Sequence, residues 1–156
     1  MFAVASFAQA LEMGARELIL QGDLDFDNAE GNVDWTLLPG IGYFFMDNVE
    51  IGPLGFLGYD GDDMGYGIGG FVEYNIDLDM ALVPYLTARG MYRFGDYFPE
   101  NHSLGEAAVG MKVFLSDAVA VAGEVFYDYA TEKIFINNEK LEKNDAGMRV
   151  GVRCFF

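Results

Sequence analysis

The sequence alternates between two chemical faces with period two, and it does so through eight successive segments. Turn signals divide the chain at roughly 15–26, 33–45, 49–59, 65–76, 80–94, 103–115, 118–136 and 139–156. Successive side chains of an extended backbone point to opposite sides, so each segment carries two stripes. One stripe reads Leu82, Pro84, Leu86, Ala88, Gly90, Tyr92, Phe94 in the fifth segment and Ala146, Met148, Val150, Val152, Cys154, Phe156 in the last. Over 18–26, 35–45, 49–59, 66–76, 82–94, 105–115, 119–129 and 146–156 this stripe lacks charged and amide side chains. The opposite stripe holds Glu17, Asp23, Asp25, Asp34, Glu50, Glu73, Arg89, Arg93, Glu106, Lys112, Glu124, Asp128, Arg149 and Arg153.

Such a pattern fits a closed or layered all-β protein, but period alone does not say which stripe is inside. A soluble barrel turns the apolar stripe inward, and a membrane barrel turns it outward. The chain is 52% hydrophobic and 15% aromatic. No run reaches the ~18 apolar residues that a membrane helix needs. Aromatics of the apolar stripe gather at segment ends: Phe26, Trp35, Tyr59, Tyr66, Tyr92, Phe94, Tyr127 and Tyr129 toward one rim, Tyr43, Phe45, Tyr74 and Phe156 toward the other. Rings at headgroup level form two such girdles. Tight turns at 46–48, 77–79 and 116–117 alternate with longer connections near 27–32, 60–64 and 95–102, the periplasmic and extracellular arrangement of a membrane barrel. The expected fold is therefore an eight-stranded antiparallel up-and-down transmembrane β-barrel over 11–156. Residues 1–10, with Ala8-Gln9-Ala10 as a small-x-small site, are expected to be a signal-peptide remnant. Pro39, Pro53 and Pro84 each remove a ladder donor, so bulges or local irregularity are expected there.

The net charge of −16 disfavours nucleic acid and a peripheral helix on anionic lipid. The single Cys154 rules out an internal disulfide, and no Cys/His cluster or nucleotide loop is found, so no cofactor or metal is expected.

The segment from Arg149 to Phe156 resembles the terminal signal of bacterial outer-membrane β-barrels, in which a polar residue, a glycine, an apolar residue and a final aromatic recur at this spacing. Arg149, Gly151, Cys154 and Phe156 take those places, and Cys154 is a less usual occupant. The stretch from Pro39 to Gly52 is also similar to a strand–turn–strand block of small OmpA/OmpX-type barrels. The resemblance covers 11–156. It implies a place in the bacterial outer membrane, with outer-membrane lipid and the barrel-assembly machinery as partners, the latter through the C-terminal strand.

An eight-stranded barrel is just wide enough to be filled by side chains, so a packed polar interior is expected. Arg89 and Glu106 fall at similar depth on neighbouring strands. A two-residue turn at Asn137-Asn138 would pair the last two strands so that Arg149 lies diagonal to Glu124 and Asp128. Lys112, nearer the periplasmic end with Arg153, is placed to partner Glu73. The same register projects 130–144 beyond the membrane, with Ile134, Phe135, Ile136, Asn137 and Asn138 at a tip that could meet an extracellular protein partner.

The leading functional reading is a structural or adhesin-like barrel with a plugged interior, and not an enzyme. A narrow cation-preferring channel is an alternative, given the acidic excess. A lipid-modifying enzyme would need His102, Ser103 and Glu106 to meet, whereas His102 and Ser103 point to opposite faces. A soluble lipocalin-like binder of an apolar ligand would be extracted without detergent.

Overall fold

The computed structural model describes residues 10–25, 34–137 and 140–156. The strands are β1 (Arg16–Asp25), β2 (Asp34–Met46), β3 (Val49–Tyr59), β4 (Met64–Asn75), β5 (Leu82–Gly95), β6 (His102–Ser116), β7 (Val119–Ala130), β8 (Phe135–Asn137), β9 (Lys140–Glu142) and β10 (Asn144–Phe155). β1 to β7 pair with their chain neighbours, β7 pairs with β10, and β10 returns to β1. The result is a closed antiparallel barrel of eight strands with no free edge. β8 and β9 form a separate two-stranded sheet.

The apolar stripe lies on the outer wall. Ile68 is 67% exposed, Val150 63% and Val109 55%, while Glu17, Glu50, Lys112 and Arg153 are fully enclosed. Water-soluble proteins do not cover a whole wall with such residues, and hydrocarbon requires it. The aromatics Tyr66, Tyr92, Phe94, Tyr127 and Tyr129 are exposed at the rim away from the termini. Their rings group there, Tyr66 and Phe94 lying 6.1 Å apart. Tyr43, Phe45, Tyr74 and Phe156 are exposed at the rim that holds the C-terminus. Phe26 of the expected outer girdle lies outside the described residues, as do residues 1–9 of the expected signal-peptide remnant.

The interior differs from a wholly polar core. Charges concentrate on β5, β6, β7 and β10, whereas Ile19, Leu38, Leu54, Phe56, Phe71, Met91 and Leu104 form a buried apolar cluster centred on the β1–β4 side. The space for large inward side chains comes from inward glycines directly across the ladder. Tyr85 faces Gly110 and Phe126 faces Gly147. A Cβ at Gly110 would lie 2.3 Å from the Tyr85 ring, and one at Gly147 would lie 2.6 Å from the Phe126 ring. A cylinder this narrow fits its large residues only by pairing each with a small one.

The segment 10–15 folds under the terminal-side mouth. Leu11 is buried with Ala10, Phe44, Val83, Phe114, Ala120 and Phe155. Its carbonyl accepts the Asn48 N–H at 2.8 Å, and Gly14 donates to the Phe44 carbonyl at 2.8 Å. Met13 N–H reaches Asp47 Oδ1 at 2.9 Å.

Three local expectations are corrected. The prolines carry no bulge: the β2–β3 ladder drops its pairs at Leu38–Pro39 and at Ile41–Gly42 opposite Gly52–Pro53, the local irregularity expected there, but resumes in the same register, and the two shifts fall at Phe44/Met46 and Phe114/Ser116, beside tight turns. Pro84 lies one step past the last β4–β5 pair, Asn75 with Tyr85; its carbonyl still accepts the Ile76 N–H at 2.8 Å, and the return bond is the one its missing donor forfeits. The connection between β4 and β5 spans 76–81 rather than a tight 77–79 turn, and exceeds the outer connection 60–63. Finally, the last hairpin is not a continuous extension of the barrel. β7 ends at Ala130, and Thr131 adds one last bond in the β6–β7 register, donating to the Ser103 carbonyl at 2.9 Å. Phe135 packs on the interior apolar cluster. Of the expected tip, Ile134 and Phe135 are therefore half-buried, Ile136 and Asn137 belong to β8, and Asn138 lies outside the described residues.

Candidate functional site

Every buried charge of the described residues projects from an inward position of a strand, at two main depths. The central layer is built on Arg89 of β5. Its directly opposed cross-strand partner is Glu106, to which Nη1 donates. The same guanidinium reaches Glu124 of β7 at 2.7 and 2.8 Å and Gln21 of β1 at 3.2 Å. Arg149 of β10 closes the layer, donating to Glu106 at 3.1 and 3.0 Å and to Glu124 at 2.9 Å. The Tyr85 hydroxyl donates to Glu124 at 2.9 Å. Two guanidiniums thus share two carboxylates, and each fork finds planar acceptors.

The second layer lies toward the termini. Lys112 Nζ stands 2.7 Å from both Glu17 and Glu73. Arg153 contacts the same two carboxylates at 2.7 and 3.4 Å, and the Thr87 hydroxyl donates to Glu73 at 2.7 Å. Glu50, directly opposite Glu73, is fully buried and its carboxylate has no donor among the described residues. Carboxylate oxygens of Glu17, Glu50 and Glu73 lie within 4.8 Å of one another, a spacing that suits a metal. The ammonium of Lys112 already stands against two of them, taking the place of an ion.

Above both layers, Arg93 stacks 4.3 Å over Phe56 and approaches Asp128 at 3.9 Å. Arg149 stacks 4.1 Å over Phe126.

The register of the last two barrel strands places Arg149 opposite Glu124 and Asp128 opposite Asp145. The diagonal expected from a turn at Asn137-Asn138 is therefore corrected: Arg149 reaches Glu124 and Glu106, and Asp128 turns to Arg93. The strand interruption at 131–134 offsets the barrel pairing by two residues from that expectation, which moves partners while keeping every residue on its face. Gln21, Tyr85 and Thr87 are uncharged members of the network that a search for charges passes over. They share inward parity with Glu17 and Arg89, which is the signal that identifies them.

In the C-terminal strand, Arg149 points inward while Phe156 is 70% exposed and Cys154 half-buried on the outer side. A Cβ at Gly151 would lie 2.4 Å from the Gln21 side chain and 2.5 Å from the Leu20 carbonyl, so the closing seam with β1 needs glycine there. His102 is buried, its Nδ1 2.9 Å from the Glu100 carbonyl and its ring edge-on to Phe98. Ser103 is exposed on the opposite face, and Glu106 is committed to arginines.

No family model and no curated protein sequence matches the chain. Solved structures do. The N-terminal β-barrel domain of Pseudomonas aeruginosa OprF is 14% identical, with a TM-score of 0.65 over 93% of this chain and 98% of that one. Neisserial surface protein A is 16% identical, with a TM-score of 0.62 over 91% and 94%. The outer membrane protein OprG of Pseudomonas aeruginosa is 13% identical, with a TM-score of 0.56 over 93% and 97%. The chain has the fold of the eight-stranded outer-membrane β-barrels.

Proposed function

We propose that this outer-membrane barrel is a sealed, non-enzymatic cylinder that anchors surface loops for contact with an extracellular protein partner. The supporting observation is the filling of its bore: the Arg89–Glu106–Glu124–Arg149 layer crosses the centre, and Leu11 with its apolar neighbours underlies the inner mouth. Ions crossing such a bore would have to separate charges bound at 2.7–3.1 Å in a low-dielectric interior. The surface role draws on the β8–β9 sheet, whose short strands pair with each other rather than with the barrel strands and offer backbone edges to a partner, with Glu132, Lys133, Glu142 and Lys143 around them. We further propose recognition of β10 by the barrel-assembly machinery, resting on the Arg149, Gly151, Cys154 and Phe156 pattern of the seam strand.

Planar-bilayer recording tests the sealed reading. Purified barrel reconstituted at single-molecule density should give no stepwise conductance in 1 M KCl. Regular steps selective for cations would instead establish the channel reading, for which the acidic excess around Glu50 is the relevant feature.

A further inference from the structure

The mouth remote from the chain termini holds a cavity of about 570 Å³. Part of its lining is apolar, with Phe56, Phe98 and Phe126 below and Ile134 and Phe135 at the side. The rings touch one another, Phe56 lying 5.7 Å from Phe98 and 6.4 Å from Tyr97 between centroids. Four carboxylates line the same space: Asp23, Asp60, Asp128 and Asp145. The two bases are Arg93 and Arg149, and Arg149 is already held by Glu106 and Glu124. Among the described lining residues Arg93 is therefore the one uncommitted base facing four acids.

Two of these acids are pre-positioned. Asp60 Oδ1 accepts the N–H groups of Asp62 at 3.1 Å and Asp63 at 2.8 Å, and Asp23 Oδ1 accepts the Thr36 hydroxyl at 2.8 Å. The third, Asp128, is only 2% exposed, yet its Oδ1 has no hydrogen-bond partner among the described residues and its nearest base is 3.9 Å away. A buried carboxylate oxygen left without a donor costs free energy unless something supplies one. Directly opposed pairs Glu106–Asp128 and Asp128–Asp145 add like-charge repulsion at the same place.

We propose that this outer vestibule binds a small organic cation, an ammonium group carried on an aromatic or aliphatic body. The ammonium supplies the donor that Asp128 lacks and offsets the carboxylates of the rim. Its apolar body lies against Phe98 and the sides of Phe56 and Phe126 left open by Arg93 and Arg149, and the preference for a cation comes from the carboxylates. A cavity of this size suits a ligand of that class.

The probe is 2-phenylethylammonium, titrated into the full chain folded in non-ionic detergent and read by NMR shift changes at the mouth. 2-Phenylethanol and 3-phenylpropanoate serve as the neutral and anionic controls. Saturable binding is expected, with the ammonium about tenfold tighter than the alcohol and the carboxylate weakest. Asp128→Asn should bring the ammonium toward the alcohol's affinity. The rim variant Asp60→Asn/Asp145→Asn, whose residues lie outside the central ion-pair layers, should weaken it severalfold and carries the test if Asp128→Asn does not fold. Equal binding of all three probes, shifts that grow linearly as micellar partitioning does, indifference to the rim variant, or binding of an oligolysine peptide without the small ammonium would each overturn the proposal.

Discussion

Arg89→Met should destabilise the folded barrel by about 3–5 kcal/mol, the largest single effect expected among interior substitutions. Arg89 is the residue that Glu106, Glu124 and Gln21 share. Its removal leaves two buried carboxylates with Arg149 as their one remaining central cation. Most of the loss comes from that uncompensated charge, not from missing contacts, because methionine retains much of the stem. The double variant Arg89→Met/Glu106→Met therefore recovers a large part of the stability, since Arg149 and Glu124 remain paired at 2.9 Å. Urea unfolding in micelles, followed by heat-modifiable gel mobility, measures both. A double variant less stable than the single one would contradict the charge-balance account.

Val125→Arg should cost about 2–4 kcal/mol in lipid vesicles, although it lies on the outside of the barrel and next in sequence to Glu124. Val125 is 52% exposed and flanked across the ladder by Val109 and Met148, both exposed, at mid-height of the apolar wall. The same substitution at Tyr129, in the outer aromatic rim, should cost only about 0–1 kcal/mol because the guanidinium reaches water. A depth dependence of this kind arises only if lipid covers the wall. On a soluble barrel both substitutions would be near neutral. Folding equilibria in vesicles of the two variants decide between these outcomes.

The features legible in the sequence are those that depend on parity. Alternation along β6 separates Glu106 and Lys112 from Val109 and Val113 whatever the strands pair with, so the two faces can be read without knowing a single contact. Parity also explains why the charged layers are legible as a set although, of the two partners expected for Arg149, Glu124 is met and Asp128 is replaced by Glu106: an offset of two residues changes neighbours without changing faces. The missed features are non-local. β7 keeps its register with β6 as far as Thr131, which bonds Ser103 nearly thirty positions away, and the interruption beyond it goes with Phe135 finding an apolar cluster inside the barrel. That cluster was itself invisible to a search for charge, because Leu38, Leu54 and Phe71 share inward parity with charged residues and differ from the lipid-facing set only in direction. The outer vestibule follows from the same two causes, since β8 contributes one of its walls and inward phenylalanines its floor.

The account rests on hydrocarbon lying against the uncharged stripe. Nitroxide labels placed one at a time at residues 106–113 in a Cys154→Ala background, with the barrel in lipid vesicles, measure this directly through collision with oxygen and with a water-soluble nickel chelate. Labels at Ala107, Val109, Met111 and Val113 should collide freely with oxygen and hardly with the chelate, while those at Glu106, Ala108, Gly110 and Lys112 should be shielded from both. High chelate accessibility at Ala107, Val109, Met111 and Val113, or oxygen accessibility without a two-residue period, would contradict it.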